Sequence, residues 1–201
     1  MSVKSDMERS ASAFLSIVWP VISVHNYKLI QMENVIDSNF AKDLDMRAGI
    51  DAWIKAPRGI LGVATRIQII EKGKDPWDSY TIRHERDTGA STEYVKRWTA
   101  IKDDFLYPQA TVQAYLSSWK GPILSVGISL TRDIYKCIEE GQYDKRRNVN
   151  ANFIVVYWSV MREKNRIVAK HINEIFPNIS YSLPPIVIIP EPPIDMGSIF
   201  I

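Results

Sequence analysis

The sequence predicts a mixed α/β fold, and three observations carry that expectation. Four runs are rich in β-branched and apolar residues: Ile60–Ile70, Thr111–Ser117, Ile123–Leu130 and Asn152–Val160. Between and around them lie stretches whose apolar residues recur at helical spacing. Turn signals separate the two kinds of segment, at Pro57-Arg58-Gly59, at Lys72 to Pro76 and at Asp87-Thr88-Gly89. A chain of 201 residues suits one domain with short appendages and is long enough to bury a core.

Residues 6–18 predict a helix with Phe14, Leu15, Ile17 and Val18 toward one side, stopped or kinked by Pro20. Tyr27 to Phe40 is a second helical candidate. Gly49 then permits a tight entry into a strand over Ile50–Lys55. The next strand, Ile60–Ile70, is nearly continuous in apolar residues, which predicts burial on both faces. Tyr80–Arg86 completes three strands in succession. Ser91 or Thr92 caps a helix running to Ile101, with Tyr94, Val95, Trp98 and Ile101 inward. Strands over Thr111–Ser117 and Ile123–Leu130 follow. Thr131 caps a helix through Glu140, ended by Gly141. A basic loop spans Tyr143–Asn150, a strand Asn152–Val160, and a last helix Arg166–Phe176. Residues 1–181 thus form a single α/β domain, with sequence neighbours expected to be neighbours in the sheet.

From residue 182 the composition changes. The run Leu183 to Pro193 is proline-rich, which resists helix and sheet interior and favours an extended arm over 182–201. That arm is a candidate contact for a protein partner or a second copy of the chain. Its end, Met196 to Phe200, is similar to the short peptides that dock into bacterial sliding clamps, without their leading glutamine.

The hydrophobic share of 46%, the charged share of 24% and a net charge of +2 are ordinary for a globular protein. The balance permits nucleic-acid binding without requiring it. One cysteine, Cys137, allows no internal disulfide, and three separated histidines do not make a zinc site. No apolar run reaches the roughly 20 residues of a membrane span. Ala11–Val24 is interrupted by Pro20 and reads as a core or partner-facing helix rather than a leader. No membrane contact and a cytoplasmic setting are the expectation. P-loop, dinucleotide-turn and nucleophile-elbow patterns do not occur in the chain.

Strand parity picks out the residues that carry chemistry. On the second strand of the trio, Ala64, Arg66 and Gln68 share one face, while Val63, Thr65, Ile67 and Ile69 share the other. An arginine and an amide on a central strand cost several kcal/mol if buried without partners. Asp51 and Glu85 are the carboxylates expected to pair with Arg66. On the third strand, Thr81, Arg83 and Glu85 share a face. Glu93, Lys96 and Arg97 fall on a polar stripe of the next helix. The adjacent Lys145, Arg146 and Arg147 form either a solvated loop or a phosphate-contacting patch.

The helix–three strands–helix–strand order, with an acid opening a strand as Gly49-Ile50-Asp51, resembles the PD-(D/E)XK nuclease superfamily, Holliday-junction resolvases in particular. The resemblance covers about residues 27–117 and implies a restriction-endonuclease-like core with an added strand–helix–strand–helix extension. It further implies DNA binding and a divalent metal, Mg2+, held by Asp51 and by a Glu-x-Lys at the end of the next strand. Hard carboxylate oxygens suit that ion, which stabilises the attacking and leaving oxygens. Arg66-Ile67-Gln68 stands where Glu-x-Lys is expected. Glutamine is a known variant of the lysine, whereas arginine in place of the glutamate repels a cation. Glu33, Glu71 and Glu93 are the carboxylates that would replace the missing ligand, and Gln68 and Lys96 the groups that would orient water or phosphate.

Three functions are therefore expected to compete. One is a nucleic-acid-associated protein whose degenerate site binds phosphate or a partner through Arg66, Arg83 and Lys96, with Lys145, Arg146 and Arg147 as further nucleic-acid contacts. The second is an active metal-dependent nuclease with migrated catalytic residues. The third is a structural or assembly protein of a mobile element.

Overall fold

The computed structural model describes residues 3–23, 27–30, 49–56, 59–103, 105–148 and 151–176. The chain is mixed α/β, with a five-stranded sheet ordered β1-β2-β3-β5-β6 and a three-stranded sheet ordered β4-β8-β7. The strands are β1 Lys28–Ile30, β2 Ala52–Ala56, β3 Gly59–Ile69, β4 Ser79–Arg86, β5 Ala110–Leu116, β6 Ile123–Leu130, β7 Asp144–Asn148 and β8 Ala151–Tyr157. Helices α1 (Val3–Ala13) and α2 (Trp19–Ile22) flank a π-helical turn, Phe14–Val18. Helices α3 (Glu93–Lys102), α4 (Thr131–Glu139), α5 (Trp158–Glu163) and α6 (Ile172–Ile175) follow.

In the first sheet β1, β2 and β3 form an antiparallel run, β3 pairs with β5 in parallel, and β6 returns antiparallel to β5. The parallel pair is joined by a crossover that holds β4 and α3. This corrects the expected order: Ser79–Arg86 does not continue the sheet begun by its neighbours but pairs with β8. The three successive strands of the sheet are β1, β2 and β3 instead. The helix expected over Tyr27–Phe40 begins as strand β1, where Leu29 sits opposite Ile54. Pairing to an open sheet edge overrides the helical spacing there. The remainder of that candidate, with Glu33, lies outside the described residues, as does the 182–201 arm.

Other boundaries move for local reasons. Pro20 does not end the first helix. The turn before it widens, so that Trp19 N–H bonds the oxygen of Phe14. The proline ring then sits where no N–H is needed. Thr131 is the first helical residue of α4, not its cap, and its hydroxyl meets Thr111 at 2.9 Å. The expected basic loop is strand β7, paired along its length with β8 while its side chains are exposed. The strand expected to reach Val160 ends at Tyr157. Trp158 then turns into α5 and lies over Gly127, where an added Cβ would come within 2.5 Å of its ring. Of the expected last helix only Ile172–Ile175 is helical, because Ala169 bridges to Ile128 as extended chain.

One face of the five-stranded sheet is apolar. Ile54, Leu61, Val63, Val112, Ala114 and Ile128 are buried there with Phe14, Val18 and Ile22 from the N-terminal helices and with Ile172 and Phe176. A second core gathers Tyr80, Ile82, Ile154 and Val156 of the smaller sheet with Tyr115, Ile134, Tyr135, Ile138, Trp158 and Met161. Between these two cores runs a polar seam. Ser79, Tyr80 and Thr81 are consecutive, so their side chains alternate across β4. All three nevertheless reach the first sheet, which places β4 with its edge toward that sheet. Tyr115 Oη donates to Ser79 O at 2.9 Å, and Gln113 Oε1 accepts from Thr81 N at 3.3 Å. Tyr80 Oη donates to Ser129 Oγ at 2.7 Å, and Ser129 Oγ in turn donates to Ile167 O at 2.7 Å. The unpaired edge of β4 is thereby closed by side chains, which removes the hazard of an open strand.

Candidate functional site

The polar face of β3 ends in an arginine cluster. Arg66 Nη1 lies 3.1 Å from Glu93 Oε2 and Arg83 Nη1 lies 3.7 Å from Glu93 Oε1. The Arg83 amide also donates to Glu93 Oε2 at 3.3 Å, continuing the closure of the β4 edge. Glu93 opens helix α3, where a carboxylate is favoured by the helix dipole. One turn on, Arg97 is only 6% exposed, and its Nη2 donates to Gly49 O at 3.2 Å. Gly49 has a φ of +64°, and a Cβ there would meet Arg97 Nε at 3.2 Å. The glycine that admits the chain into β2 therefore also makes room for a buried guanidinium.

The electrostatics follow from this geometry. Burial pushes the Glu93 carboxyl up, but Arg66, Arg97, Arg83 and the Arg83 amide outweigh it and hold the carboxyl below its ordinary value. Burial pulls the Arg66 guanidinium down; Glu93 opposes that, and Arg83 and Arg97 add to it. An arginine stays charged across the ordinary pH range all the same. Three guanidiniums thus act on one carboxylate, two of them paired with it. Arg66, Arg83 and Glu93 retain side-chain exposures of 22%, 29% and 29%, so solvent reaches the cluster. A divalent cation beside it meets net repulsion, whereas an anion meets attraction.

Phe153 on β8 ties the cluster to the smaller sheet. The Arg66 and Arg83 guanidinium carbons lie 5.0 and 5.7 Å from the centre of its ring. Arg83, Phe153 and Arg146 are in register across β4, β8 and β7. Phe153 also lines a pocket of about 280 Å³ with Lys145, Arg146 and Arg147. Of the five cations expected to contact nucleic acid, Arg66, Arg83 and Arg146 therefore share the face of the Phe153 ring, while Lys145 and Arg147 alternate to the other face of the sheet.

The expected partners of Arg66 are not its partners. A bulge at His84 shifts the β4–β8 register, so Arg83 pairs with Phe153 but Glu85 with Asn152. Glu85 turns to the opposite face from Arg83 and accepts from Asn152 Nδ2 at 2.7 Å. Asp51 precedes β2, and its carboxylate accepts from Thr65 N at 2.5 Å, extending the β2–β3 ladder. Gln68 Nε2 donates to Thr81 Oγ1 at 3.2 Å, within the seam. Thr81 in turn donates to Gln113 Oε1, which leaves Gln113 Nε2 buried with no partner among the described residues. Lys96 follows Glu93 on α3 and makes no ion pair among the described residues. Val95, expected inward, is 48% exposed, while Arg97, expected on the solvated stripe, is buried.

Sequence reasoning missed three residues: Arg97, Gln113 and Phe153. Gln113 was detectable, as a polar residue at the centre of an apolar strand. Arg97 and Phe153 gave no such signal, because a helix register and a strand on a different sheet bring them in. Among the described residues no group of three His, Cys, Asp or Glu side chains is placed to hold a metal ion. No helix of the described residues is long and apolar enough to cross a membrane. Compared with protein-family models, with curated proteins and with solved structures, the chain matches none.

Proposed function

We propose that this chain binds the phosphates of a nucleic acid without cleaving it, on a scaffold related to the PD-(D/E)XK nucleases. The observation that carries the reading is the pairing of Arg66 and Arg83 with the single carboxylate of Glu93, to which the charge of Arg97, one helical turn on, is added. The excess of positive charge, part-buried and stacked on Phe153, is the chemistry that receives a phosphate. Arg146 of β7, in register with Phe153, extends it on the same face. Arg146 pairs with Asp144 and Arg147 with Asp87 across distances of 3.3 and 3.2 Å. Such exposed pairs are screened by solvent and contribute little, so a phosphate displaces them at small cost.

The scaffold reading is supported by the strand order. A helix, three antiparallel strands, a helix and a strand parallel to the third occur in the first sheet, with β4 diverted. Asp51 opens one strand and Arg66-Ile67-Gln68 lies on the next. Glu93 supplies a carboxylate near that position, yet it is committed to the arginines.

Fluorescence anisotropy of labelled oligonucleotides over a salt series tests the reading. Affinity should fall steeply with salt, by about 0.7–0.9 log units per log unit of salt for each phosphate contacted. Arg83→Gln should reduce that slope by about one contact. Absence of binding at low salt sinks the proposal. Magnesium-dependent cleavage that Asp51→Ala abolishes replaces it with the active-nuclease reading.

A further inference from the structure

We infer that the arginine cluster seats the terminal phosphate of a nucleic-acid strand, with Gln113 and Arg97 supplying its inner donors. This rests on the phosphate-binding reading and names the phosphate that the cluster takes. Two buried nitrogens have no hydrogen-bond partner among the described residues: Gln113 Nε2 and Arg97 Nε, in residues only 1% and 6% exposed. Buried donors of this kind are rare, because each loses its water and gains nothing in return.

Both donors are held in place. Gln113 stands opposite Arg66 in the β3–β5 register, on the same face of the sheet. Its Oε1 accepts from Thr81 N and Thr81 Oγ1 at 3.3 and 3.2 Å, which fixes the amide and leaves its donor side over. Arg97 follows Glu93 by one turn of α3 and is tied to Gly49 O through Nη2. One donor thus comes from the strand beside Arg66, the other from the helix that carries Glu93. Neither nitrogen can accept, so the ligand that satisfies them is an anion.

Charge and shape select among phosphates. Arg66, Arg83 and Arg97 set against Glu93 leave a net charge of +2. An internal phosphodiester carries one negative charge and a chain on either side. A terminal phosphate carries close to two charges at neutral pH, has three acceptor oxygens and bears a chain on one side only. It matches the charge of the cluster. It also suits a site whose inner donors are buried while Arg66, Arg83 and Glu93 are open to solvent. The N-terminus of the ten-residue helix α3, where Glu93 stands, favours a further anion through its dipole. A peptide carboxylate brings one charge and two oxygens, and leaves half of the cluster's excess unmatched.

The test is competition anisotropy on the full chain at low salt, against a labelled strand with hydroxyl ends. The competitors are the same sequence with a 5′-phosphate, the same with a 3′-phosphate, and a hydroxyl-ended strand one nucleotide longer, which carries as many phosphates. One phosphorylated strand should compete about tenfold better than the hydroxyl-ended one, as for a gained hydrogen bond between charged groups. Gln113→Glu keeps the acceptor that Thr81 uses and replaces the donor by a negative oxygen. Checked for folding by circular dichroism, it should shrink the preference to within about twofold. Should that variant fail to fold, Arg97→Lys, which keeps the charge and loses Nε, should lower the preference severalfold. Equal competition by all three strands overturns the terminal seat and leaves the phosphate reading standing. A preference untouched in the folded variant overturns the seat as built from these donors. A 5′-mononucleotide that competes as well as the phosphorylated strand overturns the strand end as the ligand. No binding by any strand overturns both readings.

Discussion

The two faces of the five-stranded sheet are built on different principles. On one, Ile54, Leu61, Val112 and Ile128 meet helices through apolar area alone. On the other, Gln113, Tyr115 and Ser129 are as deeply buried but are matched to β4 by hydrogen bonds, and Thr111 is bonded to Thr131 of α4. Apolar contact is non-directional and tolerates small slips, whereas a seam of directed bonds fixes where the second sheet sits. The polar face therefore positions, and it leads to the arginine cluster. The apolar face chiefly stabilises.

The sharpest break of this contrast is on the apolar side. Ile54→Ala should cost about 3–4 kcal/mol in urea denaturation, as for a fully buried aliphatic residue, and leave oligonucleotide affinity unchanged in the folded fraction. Glu93→Gln, on the polar side, should cost about 3 kcal/mol by leaving its arginines without a carboxylate. Unlike Ile54→Ala, it should tighten nucleic-acid binding at low salt. A variant that is destabilised but binds no better would place Glu93 in a structural role only. Tyr115→Phe should cost about 1–2 kcal/mol, because it removes the hydroxyl that serves both Ser79 Oγ and Ser79 O. Arg147→Ala should change stability by less than about 0.5 kcal/mol, since its pair with Asp87 is exposed, yet still flatten the salt dependence of binding.

Acid offers a graded test of the same contrast. The folded-state pKa of Glu93 lies below its unfolded value. Its contribution is therefore complete above the unfolded value of about 4.3 and is lost as pH falls through the depressed folded value. Thermal unfolding between pH 7 and pH 3 should show a fall in Tm at the acid end that is shallower in Glu93→Gln. Parallel curves for the two proteins would contradict the assignment.

The sequence was legible where local rules decide. Strands β3, β5 and β6 and helix α4 lie within a residue or two of expectation, because long β-branched runs and strong turn signals leave few alternatives. The polar face that carries Arg66 was also accessible, through strand parity, whereas the β7 cations were expected on a loop. Its partners were not. The bulge at His84 reverses the parity of Glu85, and β4 leaves the sheet that its sequence neighbours form. Both depend on β8, about 70 residues further on, and no local pattern encodes that pairing. β1 and the π turn before Pro20 were hidden for a related reason: an open sheet edge and a widened turn each resolve a conflict that propensity alone scores the other way.

The crossover between β3 and β5 also bears on the order in which the chain assembles. The β2–β3 and β5–β6 hairpins close over short loops, whereas the seven parallel pairs from Val63–Ala110 to Ile69–Leu116 must wait for a long excursion to fold back. Loop closure of that length is entropically slow compared with a hairpin. The central ladder of the sheet should thus form last. In pulse-labelled hydrogen exchange during refolding, the amides of Ile54 and Gly127 should gain protection before that of Val112. The binding surface, which spans the parallel pair and the strand it encloses, would then exist only once folding is complete.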